Sequence, residues 1–479
     1  MPSTDQIPFT TRCLVTAFMS VVFALPLRAE THSDPAKPNI ILILADDLGF
    51  NQIGAYGDTP IKTPILDQLA KDGIRFTNAY SGNTVCSPSR VSLLTGRDGR
   101  LLHDNSNKVQ LRDIDVTLAH VLKYAGYDTA LFGKYSVGSQ MGVTDPLAMG
   151  FDTWYGMYSI LEGHRQYPQF LWRDGQKIRI GENEGGRKGA YAQELFANKA
   201  IDYIAQQHRN PFFVMLNFSS PHAELAAPEE FVAPYRKIFD ETRYLGMSTG
   251  EPADKYAWYY PEPVDQPRAT LAGMVTALDA YIGRIVERLR KLGIADNTLI
   301  LFTSDNGPHD EGGGDPEFFK AAAPYRGMKR DLFDGGIHVP MIIHWPARIR
   351  TGRVDDTPWA FADVLPTLAE LAGVSLTSVP RVQTNGISID RRLSDSPQPI
   401  DERMLYWEFG KQAGDPNSGI VGEVFQAARE GRWKAVRYGL NRPIQIYDLE
   451  SDPGERTELS DQRPDLHQKF QEFFETYAR

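Results

Sequence analysis

Apolar segments of strand length alternate along this chain with helical patterns, and this alternation limits the possible fold more than any other feature. Apolar strands of this kind are typical of a mostly parallel sheet that helices cover on both faces. We therefore predict an α/β protein with a large sheet sandwiched between helices. The predicted strands are Asn39–Ala45, Thr129–Phe132, Phe212–Phe218, Thr298–Thr303 and Met341–Trp345, and the predicted helices include Thr63–Lys71, Thr117–Tyr124, Ala192–Gln207 and Leu271–Leu292.

The pattern changes near the carboxyl end. Residues Pro380–Pro399 are rich in Ser, Pro and Asp, which indicates a linker. Beyond them, short strand patterns precede one helical pattern, which predicts a small antiparallel sheet with a helix packed on it. The predicted segments are Met404–Phe409, Phe425–Arg429, Trp433–Tyr438, Ile444–Leu449 and the helix Pro464–Tyr477. We accordingly predict a main domain of residues 30–390 and a subdomain of residues 391–479.

The first residues have the pattern of an export signal. A polar stretch ends at Arg12, an apolar run covers Leu14–Leu27, and Ala29 offers a small residue for cleavage. The run is too short and too terminal for a membrane anchor. We predict that residues 1–29 are a cleaved signal peptide, that the protein is periplasmic or secreted, and that it has no stable membrane anchor.

Removal of this leader would leave Cys86 as the single cysteine, because the only other one is Cys13. One thiol cannot form an internal disulfide, so Cys86 is either chemically functional or a small buried hydrophobic residue. Its neighbours in Cys86-Ser87-Pro88-Ser89-Arg90 are polar, which favours a chemical role. Ser89–Leu94 has helical character, which places Cys86 at a helix N-terminus, where free amide groups favour an anion.

The formal net charge of −10 argues against a nucleic-acid partner, because such proteins carry extended basic surfaces. If the substrate is an anion, its positive partners must be confined to one pocket. Arg90, Lys134 and Lys329 could supply charge-assisted hydrogen bonds there to a tetrahedral sulfate or phosphate.

Polar side chains also follow four of the predicted strands. They are Asp46 and Asp47, Lys134, His222, and the pair Asp305 and Asn306. Each alone could belong to a turn or to the surface, but open α/β sheets place their sites beyond the carboxyl ends of strands, so we expect these residues to meet. Three carboxylates and an amide are hard oxygen donors, which suit Ca²⁺ or Mg²⁺ better than zinc. Ca²⁺ is favoured, because Mg²⁺ prefers to keep several waters.

The segment Cys86-Ser87-Pro88-Ser89-Arg90, followed by Leu93-Leu94-Thr95-Gly96-Arg97, resembles the signature of type I sulfatases. The chain also resembles bacterial members of the polysaccharide and arylsulfatase type. The resemblance extends almost from end to end of the chain. Its further motifs are Pro38-Asn39-Ile40, Asp46-Asp47, Gly126-Tyr127, Gly133-Lys134, Pro221-His222, Ser304-Asp305-Asn306-Gly307, Tyr325-Arg326-Gly327, Gly335-Gly336-Ile337 and Tyr447-Asp448-Leu449. It implies an alkaline phosphatase-like fold and a sulfuric ester hydrolase.

The resemblance also implies cofactors and roles. In that family a maturation enzyme oxidises the motif cysteine to Cα-formylglycine, whose hydrate is the nucleophile. The implied Ca²⁺ ligands are Asp46, Asp47, Asp305, Asn306 and residue 86. The implied catalytic residues are Cys86, Arg90, which would orient the hydrate, and Lys134, His222 and Lys329, which would hold the sulfate. His222 is also a plausible general acid for the leaving alcohol.

One motif departs from the family, which usually has Gly-Lys-Trp-His where this chain has Gly133-Lys134-Tyr135-Ser136. The missing histidine is the expected base of the elimination step, and proton-transfer assistance is worth ~10²–10⁴-fold in rate. His309 is a conceivable substitute, although we expect it to be a substrate-binding or surface residue.

The substrate is predicted to be a sulfated carbohydrate. Two regions taken as loops between strands are aromatic, and such rings either stack on sugars or simply pack. They contain Trp154, Tyr155, Tyr158, Tyr167, Phe170 and Trp172, and Trp258, Tyr259 and Tyr260. The first region resembles polysaccharide-degrading sulfatases, which implies that His164 is a sugar contact. Three alternatives stay open: a phosphatase or phosphodiesterase of the same superfamily, a weakly catalytic protein that binds sulfated glycans, and a cysteine hydrolase. The last is the poorest, because no obvious thiol-activating histidine lies near Cys86 in the sequence.

Overall fold

The computed structural model describes residues 37–138, 140–248, 250–350, 352–410 and 423–477. The predicted signal peptide and Cys13 lie outside these residues. The strands are β1 Asn39–Asp46, β2 Ile74–Phe76, β3 Ala79–Tyr80, β4 Asp128–Lys134, β5 Thr153–Met157, β6 Phe170–Arg173, β7 Gln176–Arg179, β8 Phe212–Pro221, β9 Thr298–Ser304, β10 Met341–His344, β11 Arg353–Asp355, β12 Trp359–Ala360, β13 Leu405–Gly410, β14 Val424–Glu430, β15 Trp433–Tyr438 and β16 Gln445–Asp448. The α-helices are α1 Pro64–Asp72, α2 Cys86–Thr95, α3 Leu118–Tyr124, α4 Ala192–Ile204, α5 Glu229–Val232, α6 Pro267–Lys291, α7 Asp334–Ile337, α8 Val364–Leu371 and α9 Pro464–Tyr477.

Ten strands form the main sheet, in the order β11-β2-β10-β9-β1-β8-β4-β5-β6-β7. The five central neighbours β9, β1, β8, β4 and β5 run parallel to one another. β10 and the hairpin β6–β7 add antiparallel pairs towards the two edges. The prediction of a large, mostly parallel sheet is confirmed.

Strand β1 shows why the sheet lies between two helical layers. Its residues after Asn39 are all buried, and successive side chains of a strand point to opposite faces. Ile41 and Ile43 enter one core cluster, which includes residues of α4 and α6, whereas Leu42 and Leu44 enter a second one with residues of α3 and α8. The continuous apolar sequence is therefore required by burial on both faces.

Helix α6 is the one helix in the described part of the chain that is long and apolar enough to cross a membrane by length and composition. It packs against α4, α5 and β8, and 72% of its most apolar window is buried inside the protein. Its apolar residues therefore belong to the core.

The predicted aromatic loop after β4 is partly sheet. Trp154 and Tyr155 lie in β5 and are buried, and Phe170 and Trp172 lie in β6. These strands are short and a tight turn at Asp174-Gly175 separates β6 from β7, so the sequence pattern was too weak to predict them. Here the rings pack rather than line an open loop.

The antiparallel carboxyl-terminal sheet is β13-β14-β15-β16, as predicted. Trp407 on one face packs with Tyr80 of the main domain, and Tyr406 on the other packs against α9. The predicted linker Pro380–Pro399 lies against the main domain, because its Ile389 and Leu393 are fully buried in the second core cluster. The boundary between residues 390 and 391 stays a prediction.

A buried carboxylate of α6 holds the beginning of α1. Asp279 accepts hydrogen bonds from the backbone N–H groups of Ile65 at 3.1 Å and Leu66 at 2.8 Å, which have no acceptor inside their own helix. Burial raises the pKa of Asp279 to about 7. The folded protein therefore keeps a proton that the unfolded chain releases near pH 4, so this group makes stability fall as pH rises from about 4 to 7.

We expect the variant Asp279→Asn to lose less thermal stability between pH 5 and pH 8 than the natural protein does, because the amide does not titrate. Calorimetric unfolding temperatures across this range would measure it. Asp72→Asn, on the exposed surface of α1, is the control and should follow the natural protein. Parallel curves for the natural protein and Asp279→Asn would contradict the assignment.

Candidate active site

The polar residues that follow the central strands do meet at one edge of the sheet. Asp46 ends β1, Lys134 ends β4, His222 follows β8, and Asp305 follows β9. Since these four strands are parallel neighbours, their carboxyl ends lie side by side. All four side chains are at least 98% buried.

Cys86 is the first residue of α2 and lies inside this cluster. Its Sγ is 3.6 Å from Oδ1 of Asp46 and 3.8 Å from Nζ of Lys134. The side chain is 3% exposed, so Cys86 is buried, but its neighbours are charged groups and not an apolar core. Burial raises the pKa of the Cys86 thiol well above its usual range.

Two cationic side chains, Lys134 and Arg90, form ion pairs with carboxylates of the site. Nζ of Lys134 donates to Oδ2 of Asp46 at 2.5 Å, and Nε of Arg90 donates to Oδ2 of Asp305 at 2.9 Å. Arg90 and Asn217 also donate to the backbone carbonyl of Lys134, at 3.1 and 2.9 Å. The position of Lys134 further depends on Gly133, which has φ 107° and whose added Cβ would meet O of Asn217 at 1.9 Å.

A second group of charged side chains surrounds Lys329. Nζ of Lys329 contacts Oδ2 of Asp47 at 2.8 Å, Oε1 of Glu311 at 2.9 Å and Nε2 of His222 at 3.0 Å. Nδ1 of His222 donates to O of Ala223 at 2.5 Å, so Nε2 is the acceptor of the Lys329 hydrogen bond. Burial and the Lys329 charge hold the pKa of His222 well below its usual range.

The predicted Ca²⁺ ligands form a set of hard oxygen donors that fits such an ion. Asp46, Asp47 and Asp305 are buried together, and the N–H of Asp47 donates to Oδ1 of Asp305 at 3.1 Å. Oδ1 of Asn306 is buried without a hydrogen-bond partner among the described residues, as a carbonyl ligand would be. Burial and the charge of Asp46 raise the pKa of Asp305 to about 7, a crowding that a divalent cation would relieve.

A related group of possible ligand atoms comes from Asp46, Asp47, Cys86 and His222, which all lie within 4.8 Å of one another. The sulfur of Cys86 and the imidazole of His222 are softer donors than carboxylate oxygens, and Nε2 of His222 is engaged with Lys329. The oxygen set with Asn306 therefore suits Ca²⁺ better than a set that includes His222.

Ser136 lies beside the site but is turned away from it. Its Oγ donates to O of Ser159 at 3.4 Å, and its backbone has φ 59°. His309 does not take the place of the missing base: its Nδ1 accepts from the N–H of Glu311 at 3.0 Å, and its Nε2 contacts O of Pro221 at 3.1 Å. Both ring nitrogens are used by the backbone, and the ring is 2% exposed, so His309 is better placed to hold the loop than to bind substrate.

His164 reaches the site from the segment after β5. Its ring stacks on that of His222 with 4.1 Å between centroids, and its Nδ1 is 3.3 Å from the hydroxyl of Tyr260. Gly163 makes this possible, because an added Cβ would touch the side chain of Lys134 at 2.9 Å. His164 is partly exposed, so a ligand in the site could reach it.

Several residues of the site were not predicted from the sequence. Glu311 joins Lys329 and Arg330 and accepts from the hydroxyl of Tyr260 at 2.9 Å, and Asn217 binds the backbone of Lys134. Glu311 follows Asp305 and Asn306 by only a few residues, and this proximity was the one available signal. Asn217 lies inside an apolar strand, where a polar residue must find a partner.

Three of the seven non-glycine residues with positive φ in the described part of the chain lie in or next to this site. Asp47 has φ 63°, Ser136 φ 59° and Arg330 φ 80°. Such conformations are disfavoured for residues with a Cβ, and they persist where surrounding contacts hold them, often in functional sites. They support the assignment of this edge as the active site.

Comparison with known proteins agrees with the geometry. A family profile described as Sulfatase matches residues 38–374, and one described as N-sulphoglucosamine sulphohydrolase, C-terminal, matches residues 327–476. Human N-acetylgalactosamine-6-sulfatase is 30% identical over 370 residues, which cover 71% of this chain and 63% of that protein. N-acetylgalactosamine-6-O-sulfatase of Bacteroides thetaiotaomicron is 25% identical over an alignment of 533 positions including gaps, which covers 94% of this chain and 95% of that one.

Among solved structures, one described as Ps i-CgsB in complex with k-i-k-neocarrahexaose aligns with a TM-score of 0.75 and 26% identity. The alignment covers 92% of this chain and 93% of that one, which confirms the alkaline phosphatase-like fold. The chain therefore belongs to the sulfatase family and is a sulfuric ester hydrolase, as the motif around Cys86 implied.

Proposed function

We propose that this sulfatase is exported and removes sulfate from a sulfated carbohydrate, using a Cα-formylglycine made from Cys86 and a bound Ca²⁺. The names of the human and Bacteroides relatives, both N-acetylgalactosamine sulfatases, support the substrate class. So does the structural relative described in complex with neocarrahexaose. The apolar leader within residues 1–29 supports export. The family match favours sulfate esters over the phosphatase alternative.

The observation that carries the proposal is the position of Cys86 at the start of α2, between Asp46 and Lys134. Because burial raises its pKa, the thiol stays protonated at neutral pH and is a poor nucleophile. A cysteine hydrolase is disfavoured for that reason. Conversion of the side chain, as in the family, explains why a cysteine lies at the centre of an anion-binding pocket.

A hydrated formylglycine at residue 86 would supply two hydroxyl groups, one as the nucleophile for the sulfate ester and one that would allow the sulfate to be released. Asp46, Asp47, Asp305 and Asn306 would hold the Ca²⁺, which supplies positive charge beside residue 86. The remaining chemistry belongs to the side chains of the chain itself.

Lys134, which contacts Asp46, and Lys329, which contacts Asp47, can donate to sulfate oxygens as negative charge develops. Arg90, held by Asp305, can orient the hydroxyls of residue 86. Nε2 of His222 faces Lys329, so a proton passed to the leaving alcohol can come from this pair.

A second candidate function follows from Ser136. Its hydroxyl is bonded to Ser159 and is no base, and His309 is occupied by backbone groups. A protein without an efficient base for sulfate release could act mainly as a sulfated-glycan-binding protein. Retention on a sulfated glycan without release of sulfate would favour this candidate.

The first test is the mass of the tryptic peptide that contains residue 86, from protein produced together with a formylglycine-generating enzyme. We expect a loss of about 18 Da, the difference between a thiol side chain and an aldehyde. Release of sulfate from sulfated oligosaccharides should appear only in preparations with this loss.

Protein produced without the maturation enzyme is the matched control and should keep the thiol mass. An unmodified thiol in every maturing host would contradict the formylglycine mechanism. A modified peptide in a protein that binds sulfated glycans but releases no sulfate would instead support the binding candidate.

A further inference from the structure

One tryptophan beside the active site is exposed without a structural reason. The chain has seven tryptophans, all within its described residues, and Trp258 is the only exposed one, with 71% of its side chain accessible. The adjacent Tyr259 is 43% exposed. We propose that Trp258, supported by Tyr259, stacks on a sugar ring of an extended sulfated glycan whose sulfated unit occupies the pocket at Cys86. This inference rests on the proposed function.

The exposed rings stand on a turn whose other aromatic residues are anchored. Tyr256 is 2% and Tyr260 5% exposed, and both pack with Ala223 and Tyr244 in a small separate cluster. The N–H groups of Tyr259 and Tyr260 donate to O of Tyr256 at 2.9 and 3.1 Å. The turn is therefore ordered before any ligand binds, so little conformational entropy is lost when a sugar covers Trp258.

The anchors of the turn are residues of the active site. The hydroxyl of Tyr260 donates to Glu311 at 2.9 Å, and Arg330 donates to the hydroxyl of Tyr256 at 3.2 Å. Glu311 in turn contacts Lys329 at 2.9 Å. Trp258 precedes Tyr260 by two residues, a span of at most about 7 Å between their Cα atoms. Since the hydroxyl of Tyr260 contacts Glu311, the turn lies beside the pocket, and its exposed face is called the rim below.

The chemistry of the rim favours a carbohydrate. A tryptophan and a tyrosine present large, rigid, amphipathic surfaces at low entropic cost, which suits the apolar face of a sugar ring and its surrounding hydroxyls. Tyr260 and His164 offer a hydroxyl and an imidazole between this surface and the sulfate-binding cations. A glycan chain longer than one unit can thus contact the pocket and the exposed rings at once.

The test compares matured enzyme variants on a sulfated galactan hexasaccharide and on a small aryl sulfate that is too short to reach the turn. For Trp258→Ala we expect the ratio of kcat/KM on the hexasaccharide to kcat/KM on the aryl sulfate to fall by about tenfold or more. Trp258→Phe should restore part of the ratio, because the phenyl ring keeps a stacking face. Tyr124→Ala is the matched control: Tyr124 is 57% exposed at the end of α3, before β4 begins, and its loss should leave the ratio unchanged.

Affinity electrophoresis in gels that contain the sulfated galactan separates this inference from the proposed function. Trp258→Ala should lose retardation that the natural protein and Tyr124→Ala keep. An unchanged ratio and unchanged retardation for Trp258→Ala would overturn the inference. If the natural protein releases no sulfate from the galactan yet its retardation depends on Trp258, the stacking inference stands and the proposed release of sulfate from this carbohydrate falls.

Discussion

The variant Cys86→Ala should lose catalytic turnover by roughly 10⁴–10⁶-fold, the scale on which removal of a nucleophile acts in enzymes that form covalent intermediates. Alanine offers no atom that can become a nucleophile, and the cations that hold the sulfate cannot replace it. Sulfate release from an aryl sulfate and from a sulfated oligosaccharide, each with matured protein, measures the loss.

The fold should tolerate this change. The Cys86 side chain is small, and its Sγ makes only long contacts with Asp46 and Lys134. Removal of one buried sulfur should cost about 1 kcal/mol of unfolding free energy, so circular dichroism and the unfolding temperature should change little.

Two further variants sharpen the result. Ser87→Ala should keep activity, because Oγ of Ser87 has no hydrogen-bond partner among the described residues. Cys86→Ser, produced without a maturation enzyme, should accept a sulfuryl group once and then stop, because a simple sulfate ester lacks an internal route to release. A gain of about 80 Da on the peptide and a single burst of product would report that state. Substantial turnover by Cys86→Ala would exclude residue 86 as the nucleophile.

The central part of the fold could be predicted because strands buried on both faces have continuous apolar sequences. β1, β4, β8 and β9 are continuous apolar runs, and their ends were predicted to within a few residues. The polar residues after them could be assigned to one site, because parallel neighbouring strands bring their carboxyl ends together. The strands β2, β3, β5–β7, β11 and β12 were missed, since each of them is only two to five residues long.

The arrangement of residues around His222 was not predictable in the same way, although the resemblance had named His164 and the aromatic pattern had named Tyr260. Glu311, Tyr260 and His164 come from three separate segments, and only tertiary structure brings them together around His222. For Ser136 the sequence predicted the position but not the orientation. The motif located it beside Lys134, but the sequence could not show that its hydroxyl donates to Ser159.

The charges of the site balance, and this balance links the metal to the substrate. Four cationic side chains, Arg90, Lys134, Lys329 and Arg330, face four carboxylates, Asp46, Asp47, Asp305 and Glu311. A sulfate ester brings one more negative charge into this buried site, and the sulfate released from it carries two, so either of them added alone would leave excess negative charge. A divalent cation restores the balance, so sulfate and metal should bind cooperatively.

Removal of calcium should therefore lower activity by about 10²-fold or more, because the positive charge beside residue 86 is worth several kcal/mol in the transition state. It should also lower the unfolding temperature, because Asp46, Asp47 and Asp305 then repel one another inside the protein, as the raised pKa of Asp305 indicates. The measurement is sulfate release and calorimetric unfolding before and after treatment with EGTA, which binds Ca²⁺ far more tightly than Mg²⁺. Added Ca²⁺ should restore both properties and Mg²⁺ should not.

A buried carboxylate outside the site provides the control for this prediction. Asp363 is fully buried, pairs with Arg403 and accepts from the N–H groups of Ala360 and Ile387. Asp363→Asn should lower the unfolding temperature while the response to EGTA stays as in the natural protein. In Asp305→Asn, removal of Ca²⁺ should lower the unfolding temperature less than it does in the natural protein, because the substitution already removes one of the repelling charges. Added Ca²⁺ should no longer stabilise this variant. Activity and stability that are indifferent to EGTA in the natural protein would show that these carboxylates hold no calcium.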